Sequence, residues 1–145
     1  MSQSSQPAHP THQVAVYVFR RTNTGPRYLV LRRSAEFEGL WRPVLGTIRP
    51  EEALESAAIR EVRDETGIVT PRALIDFGFR HREQIGDFDL VDWGVGYDVG
   101  ADEPLVRLAG DYREFRWLDF EHAYHRIEFE PYREAVLKLH LRLSG

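Results

Sequence analysis

Residues 60–67 read REVRDETG and set three carboxylates, Glu61, Asp64 and Glu65, within five positions. Nothing from Glu51 to Thr66 breaks a helix, Pro50 precedes it and Gly67 supplies a stop. A helical residue turns about 100°, so Glu65 lies at roughly +40° from Glu61 and Asp64 at roughly −60°. The three share one face. Ala57 and Ala58 fall on the same side one turn earlier and keep it uncluttered, while Ile59 and Val62 are left to pack the helix on a sheet. Like charges at i,i+4 cost about 0.2–0.5 kcal/mol per pair. The Glu61–Glu65 pair also stands near a helix C-terminus, where the dipole disfavours negative charge. A solvated face laced with salt bridges is one reading, and Arg60 and Asp64 have the i,i+4 spacing for it. It leaves Glu61 facing Glu65 with no basic residue between them. A divalent cation relieves that repulsion, and hard oxygen ligands on a rigid element suit Mg²⁺ or Mn²⁺.

The elements that must position this face read as a mixed order. "HQVAVYVFRR" (12–21) and "RYLVLRR" (27–33) are rich in β-branched and aromatic residues and predict a hairpin about the turn 22–26. "EGLWRPVLGTI" (38–48) predicts a short strand and a loop. Two longer strands follow, 72–83 and 88–99, joined at Gly86; then a loop over 101–111, a strand over 112–120, and a helix opened by Pro131. Strands, one internal helix, strands again and a terminal helix argue for an α/β or α+β fold with a mixed sheet between helices. The domain is expected over 12–145, behind a disordered tail of residues 1–11.

Composition narrows the partners. The chain has 145 residues, 42% apolar and 29% charged, enough for one domain with a hydrophobic core. Nineteen basic and twenty-three acidic residues give a net charge of −4, which offers no global attraction to nucleic acid or to an anionic membrane. A polyanion must be held locally, by a metal or a few arginines. The absence of cysteine excludes disulfides, thiolate metal sites and a cysteine nucleophile. No apolar run approaches the roughly 18 residues of a membrane span, and the N-terminus lacks a secretory pattern, so a cytoplasmic location is expected.

The stretch 46–68, "GTIRPEEALESAAIREVRDETGI", resembles the signature of the Nudix hydrolases: Gly, five residues, Glu, seven residues, Arg-Glu, an aliphatic, any residue, Glu-Glu, any residue, Gly, an aliphatic. Gly46, Glu52, Arg60, Glu61, Val62, Glu65, Gly67 and Ile68 match; Asp64 replaces the first paired glutamate. A weaker resemblance runs from residue 12 to about 142. It implies an α/β/α sandwich and hydrolysis of a nucleoside diphosphate linked to another group, with Mg²⁺ or Mn²⁺. "WRPVLGTI" and "IEFEPYREAV" look most like the branch that cleaves nucleoside or dihydroneopterin triphosphates to monophosphate and pyrophosphate. By this resemblance Glu61 and Glu65 are the main metal ligands, Asp64 a further one directly or through water, and the Gly46 carbonyl completes the set. Arg60 orients the loop and Glu61, with Glu52 as its ionic partner. Glu61 or Glu65 is the base; Asp111 or Glu114, in "GDYREFRW", could fill the place of a later glutamate that serves in some relatives, although ordinary surface charge beside a strand explains both slightly better. Homodimers are frequent among relatives, which leaves that assembly open here.

The departures matter as much. Asp64 is one methylene shorter than glutamate. Relatives often carry Glu where Arg49 sits and Gly where Glu51 sits, so an easy positive-φ position is lost. Arg49 sets a positive charge beside the cluster, able to grip a phosphate or to weaken metal affinity. Arg33, or Arg32 beside it, can also contact a phosphate, although strand-edge solubility explains both equally well. Phe37, Trp41 and Trp93 can stack on a base or belong to the core. His122 and His125 lack a third zinc ligand nearby. The competing reading is a nucleotide-binding module that keeps the fold with weak or no turnover; Arg49 and Asp64 favour it, and the intact Glu61/Glu65 pair favours the enzyme.

Overall fold

The computed structural model describes residues 9–145. Most of the expected 1–11 tail lies outside the described residues, and Thr11 already belongs to the first strand, β1 (Thr11–Thr22). The remaining strands are β2 (Gly25–Arg33), β3 (Trp41–Arg42), β4 (Val44–Thr47), β5 (Ala73–Ile75), β6 (Arg80–Ile85), β7 (Phe88–Asp98) and β8 (Tyr112–Leu118). Three helices, α1 (Leu54–Thr66), α2 (Phe120–Arg126) and α3 (Glu130–Ser144), cover the sheet among the described residues.

Strand β1 explains why the sheet is buried on both faces. Its Val14, Val16 and Val18 pack with Ala57, Ala58 and Val62 of α1, while Ala15, Tyr17 and Phe19 pack with Ala135, Val136 and Leu139 of α3. A run that is apolar at every position fits a strand with helices on each side. The sheet runs β3-β2-β1-β7-β5, with β4 beside β1, β6 beside β7 and β8 beside β2. β1 and β7 are parallel, from Thr11 opposite Leu90 to Phe19 opposite Asp98, and the other pairs are antiparallel. The result is the α/β/α sandwich with a mixed sheet.

Two expected boundaries move. The helix starts at Leu54, not Glu51, because Arg49–Glu52 close a turn, with Glu52 N–H donating to the Arg49 carbonyl at 3.0 Å, and Glu51 stands at φ 63°. Pro50 therefore lies in that turn. The single strand expected over 72–83 is split into β5 and β6: Asp76 Oδ1 accepts from the Gly78 N–H at 2.9 Å, Gly78 takes φ 75°, and Phe77 turns into the core. An Asp side chain that hydrogen-bonds two residues on builds a turn where β-propensity alone predicts a strand.

The face of α1 needs a correction too. The residues it buries are Ala57, Ala58, Val62 and Thr66, an arc from roughly −40° to roughly +140° about Glu61. Ala57 and Ala58 thus pack on the sheet instead of clearing a solvent face. Glu61 and Glu65 fall inside that arc, and Asp64 falls outside it. The helix closes as expected, with Gly67 at φ 79° donating its N–H to the Arg63 carbonyl at 2.9 Å.

Candidate active site

Gly46 pairs with Val14 on β1, under the middle of α1. A Cβ at Gly46 would overlap the Glu61 carboxyl group, so the missing side chain forms the cradle in which that carboxylate lies. Glu61 Oε2 accepts from Arg60 Nη1 at 2.6 Å. The same guanidinium forks onto Glu52, Nε to Oε2 at 2.8 Å and Nη2 to Oε1 at 2.9 Å, and Nη2 also donates to the Thr47 carbonyl at 2.9 Å. Glu52 Oε1 accepts the Arg49 N–H at 3.0 Å. One arginine thereby ties β4, the loop and the helix into a single charged network. The Arg60 fork, helped by the Arg49 N–H, holds the Glu52 carboxyl down at about 2. Glu61 is therefore not without a basic partner: its sequence neighbour supplies one, a contact that counting along a helix face cannot reveal.

Glu65 lies in different surroundings. Its Oε1 accepts from the Tyr112 hydroxyl at 2.6 Å, and that hydroxyl accepts from Arg42 Nη2 at 2.7 Å. Burial pushes the Glu65 carboxyl up to about 7; the Tyr112 hydrogen bond and the Arg42 charge oppose the rise, while the charges of Glu61 and Asp111 add to it. Burial, with the Glu65 charge behind it, also holds the Tyr112 phenol well above its ordinary range, so it remains a donor. Tyr112 and Arg42 were not singled out by the sequence. Tyr112 stands inside "GDYREFRW", where Asp111 and Glu114 draw attention first, and the bulge at Arg32/Arg33 that sets the register of β8 is invisible locally.

The remaining candidates disperse. Asp64 is exposed at the rim, with Oδ1 3.5 Å from Arg63 Nε and Oδ2 4.0 Å from Arg60 Nη1. Arg33 pairs with Asp111 at 3.2 Å and lies 4.2 Å over the Phe37 ring. Arg32 pairs with Glu114 at 3.2 Å, and Arg116 reaches the same carboxylate at 3.6 Å. Both later acids are thus engaged by arginines. Trp41 is core, whereas Trp93 and the exposed Arg49 line an open cleft of about 620 Å³ beside the loop.

Glu61, Asp64, Glu65 and the Gly46 carbonyl offer oxygen donors only, which fits Mg²⁺ or Mn²⁺ in kind. The Gly46 cradle, filled by the Glu61 carboxylate, and the desolvated Glu65 carboxyl are the two features of the site that a cation would suit. Among the described residues, no three such side chains are gathered about one point. The site therefore matches the ion in donor chemistry while its carboxylates remain held by Arg60 and Tyr112.

The chain is similar to known proteins. The family model described as the NUDIX domain matches residues 11–139. An octanoyltransferase of Myxococcus xanthus is 32% identical over 131 residues, 88% of this chain, but the chain spans only 36% of that relative's length. The asymmetrical bis(5'-nucleosyl)-tetraphosphatase of Rattus norvegicus is 27% identical over 138 residues, covering 85% of this chain and 88% of that protein. Among solved structures, a binary complex of the C. elegans Ap4A hydrolase has a TM-score of 0.80 at 19% identity, covering 93% of this chain and 98% of that one. With the domain match running from β1 into α3, the chain belongs to the Nudix family.

Proposed function

We propose that the chain cleaves the diphosphate linkage of a nucleoside diphosphate derivative, with a nucleoside triphosphate cut to monophosphate and pyrophosphate as the first substrate to test. The observation that carries the reading is the pair Glu61 and Glu65, one turn apart: the first is cradled on Gly46 and oriented by Arg60, the second is half-buried with its carboxyl pushed up to about 7. Glu61, Glu65 and the Gly46 carbonyl would hold Mg²⁺ or Mn²⁺, with Asp64 completing the set directly or through water. When bound, such an ion neutralises phosphate oxygens and acidifies a water.

The chain's own residues do the rest. Arg60 fixes the Glu61 carboxylate, and its fork onto Glu52 keeps the loop against the helix. Glu65 is our choice for the base, because only one of its carboxylate oxygens is engaged by a protein hydrogen bond among the described residues. Tyr112 holds its Oε1 and leaves Oε2 without a hydrogen bond among the described residues. Arg49 and Arg33 are assigned to phosphate oxygens, Arg49 exposed at the loop and Arg33 shared with Asp111. Among the described residues no helix is long and apolar enough to cross a membrane. We assign the activity to the cytoplasm.

The test is a panel of nucleoside triphosphates, ADP-ribose and dinucleoside polyphosphates, each with Mg²⁺ or Mn²⁺ and followed by ³¹P NMR. Monophosphate and pyrophosphate from a triphosphate support the reading. Preferential cleavage of a dinucleoside polyphosphate moves the substrate to that class. Binding of a panel member with no cleavage of any would instead identify a nucleotide-binding module.

A further inference from the structure

Arg32, Arg33, Arg42 and Arg60 differ in what their guanidinium groups have left to offer. Arg60 is spent on Glu52, Glu61 and the Thr47 carbonyl. Arg33 is paired with Asp111, and Arg32 with Glu114 and the Gly39 carbonyl. Arg42 has no acidic partner among the described residues. Its guanidinium makes one hydrogen bond, from Nη2 to the neutral Tyr112 hydroxyl at 2.7 Å, and its Nε is buried with no partner.

The short strand β3 explains how the side chain comes to the site. Successive side chains of a strand point to opposite faces. Trp41 joins the core on the α3 side, so Arg42, opposite Leu31 in the register, is directed to the α1 side. There the guanidinium lies 5.4 Å from the Tyr112 ring centroid, and one hydroxyl bridges it to Glu65, since Tyr112 donates to Oε1 at 2.6 Å. The side chain is half-buried. A guanidinium drawn out of water is costly without an anion against it. The phenol accepts one N–H and supplies no charge. Phosphate answers the remaining donors, because two of its oxygens match the planar fork.

We propose that Arg42 is a phosphate-binding residue of this site, its guanidinium holding non-bridging oxygens of the diphosphate beside Glu65. The assignment deepens the proposed hydrolysis and rests on that reading for its place in turnover. Binding of a diphosphate by Arg42 needs neither a metal ion nor cleavage, so the two can fail separately.

The test is titration of the full chain with inorganic pyrophosphate in EDTA, read on the Arg42 Nε–H resonance. Burial of that nitrogen slows its exchange with water and keeps the signal visible; its loss in Arg42→Lys identifies it. Pyrophosphate should shift the resonance saturably. Calorimetry should show affinity lowered about tenfold by Arg42→Gln, and less by Arg42→Lys, which keeps the charge without the fork. Tyr112→Phe leaves the guanidinium in place and should bind pyrophosphate at least as tightly as the parent. Arg80→Ala, which removes an exposed charge on β6 across the sheet, should bind within about twofold of it. Arg42-dependent binding with no cleavage of any nucleotide would keep this assignment and remove the hydrolysis. The proposal is overturned if millimolar pyrophosphate leaves the resonance unmoved, or if folded Arg42→Gln binds within about twofold of the parent. It is also overturned if Tyr112→Phe weakens binding as much as Arg42→Gln does, which would make Arg42 a support for the phenol.

Discussion

Glu52 and Glu65 flank the same helix and hold protons in opposite senses. Glu52 lies ahead of α1, forked by Arg60 and by the Arg49 N–H, and its carboxyl is held down at about 2. Glu65 lies near the end of α1, half-buried, with Tyr112 as its partner, and its carboxyl is raised to about 7. The two residue types are identical, so the surroundings make the difference. A full positive charge in bidentate contact favours the carboxylate; burial beside a neutral phenol favours the acid. The comparison separates two tasks. The Arg60 side fixes the Glu61 carboxylate, and the surroundings of Glu65 favour its protonated form.

The largest expected effect is on stability against pH without metal. Glu65 has a raised folded pKa, so its contribution is complete below the ordinary 4.5 and is lost as pH rises through about 7. That loss is up to about 3 kcal/mol. Glu52 runs the other way: its contribution is present above 4.5 and disappears as pH falls towards 2. Urea denaturation of Glu65→Gln from pH 2 to 8 should remove the loss seen in the parent chain between pH 4.5 and 7 while leaving the acid-side decline intact. An unchanged slope between pH 4.5 and 7 would erase the contrast.

Gly46→Ala sharpens the other half. The new methyl must displace the Glu61 carboxylate from its cradle and pull on the Arg60 fork. Activity should fall about 10²-fold, as a misplacement of about 1 Å does, while the Glu65-dependent pH slope persists. Parent-like kcat with this variant would show that the cradle does not set the geometry. The smallest effect belongs to Glu51→Gly. Glu51 stands at φ 63°, where a side chain is strained. Relief should stabilise the chain by about 0.5–1 kcal/mol after glycine's greater unfolded freedom is counted; a lower melting temperature would contradict the strain.

Much of this was legible along the chain, for physical reasons that also mark the limits. β1 and β2 are read from β-branched and aromatic runs, α1 from an unbroken stretch ending at Gly67, and the site from residue types at fixed spacing from Gly46 to Ile68. The strained Glu51 is also visible, because its position calls for glycine. What was not legible is non-local or fine-grained. The parallel pairing of β1 with β7 depends on contacts across about eighty positions. The turn at Asp76–Gly78 depends on one side-chain hydrogen bond inside an otherwise strand-like run. The burial of Glu65 follows from which arc of α1 meets the sheet, and its contact with Tyr112 and Arg42 from the register of β8 on β2. Spacing on a helix names the neighbours on that helix and is silent about the strand that comes to face them.

If Glu65 is a ligand of the proposed divalent cation, the ion must take the place of its proton. Titration with Mn²⁺ at pH 6.5, reading free ion by EPR and proton release in weak buffer, measures that exchange. The parent chain should bind Mn²⁺ saturably with proton release, and Glu65→Gln should lose that proton release. No binding, or binding with the same proton release after Glu65→Gln, would contradict it.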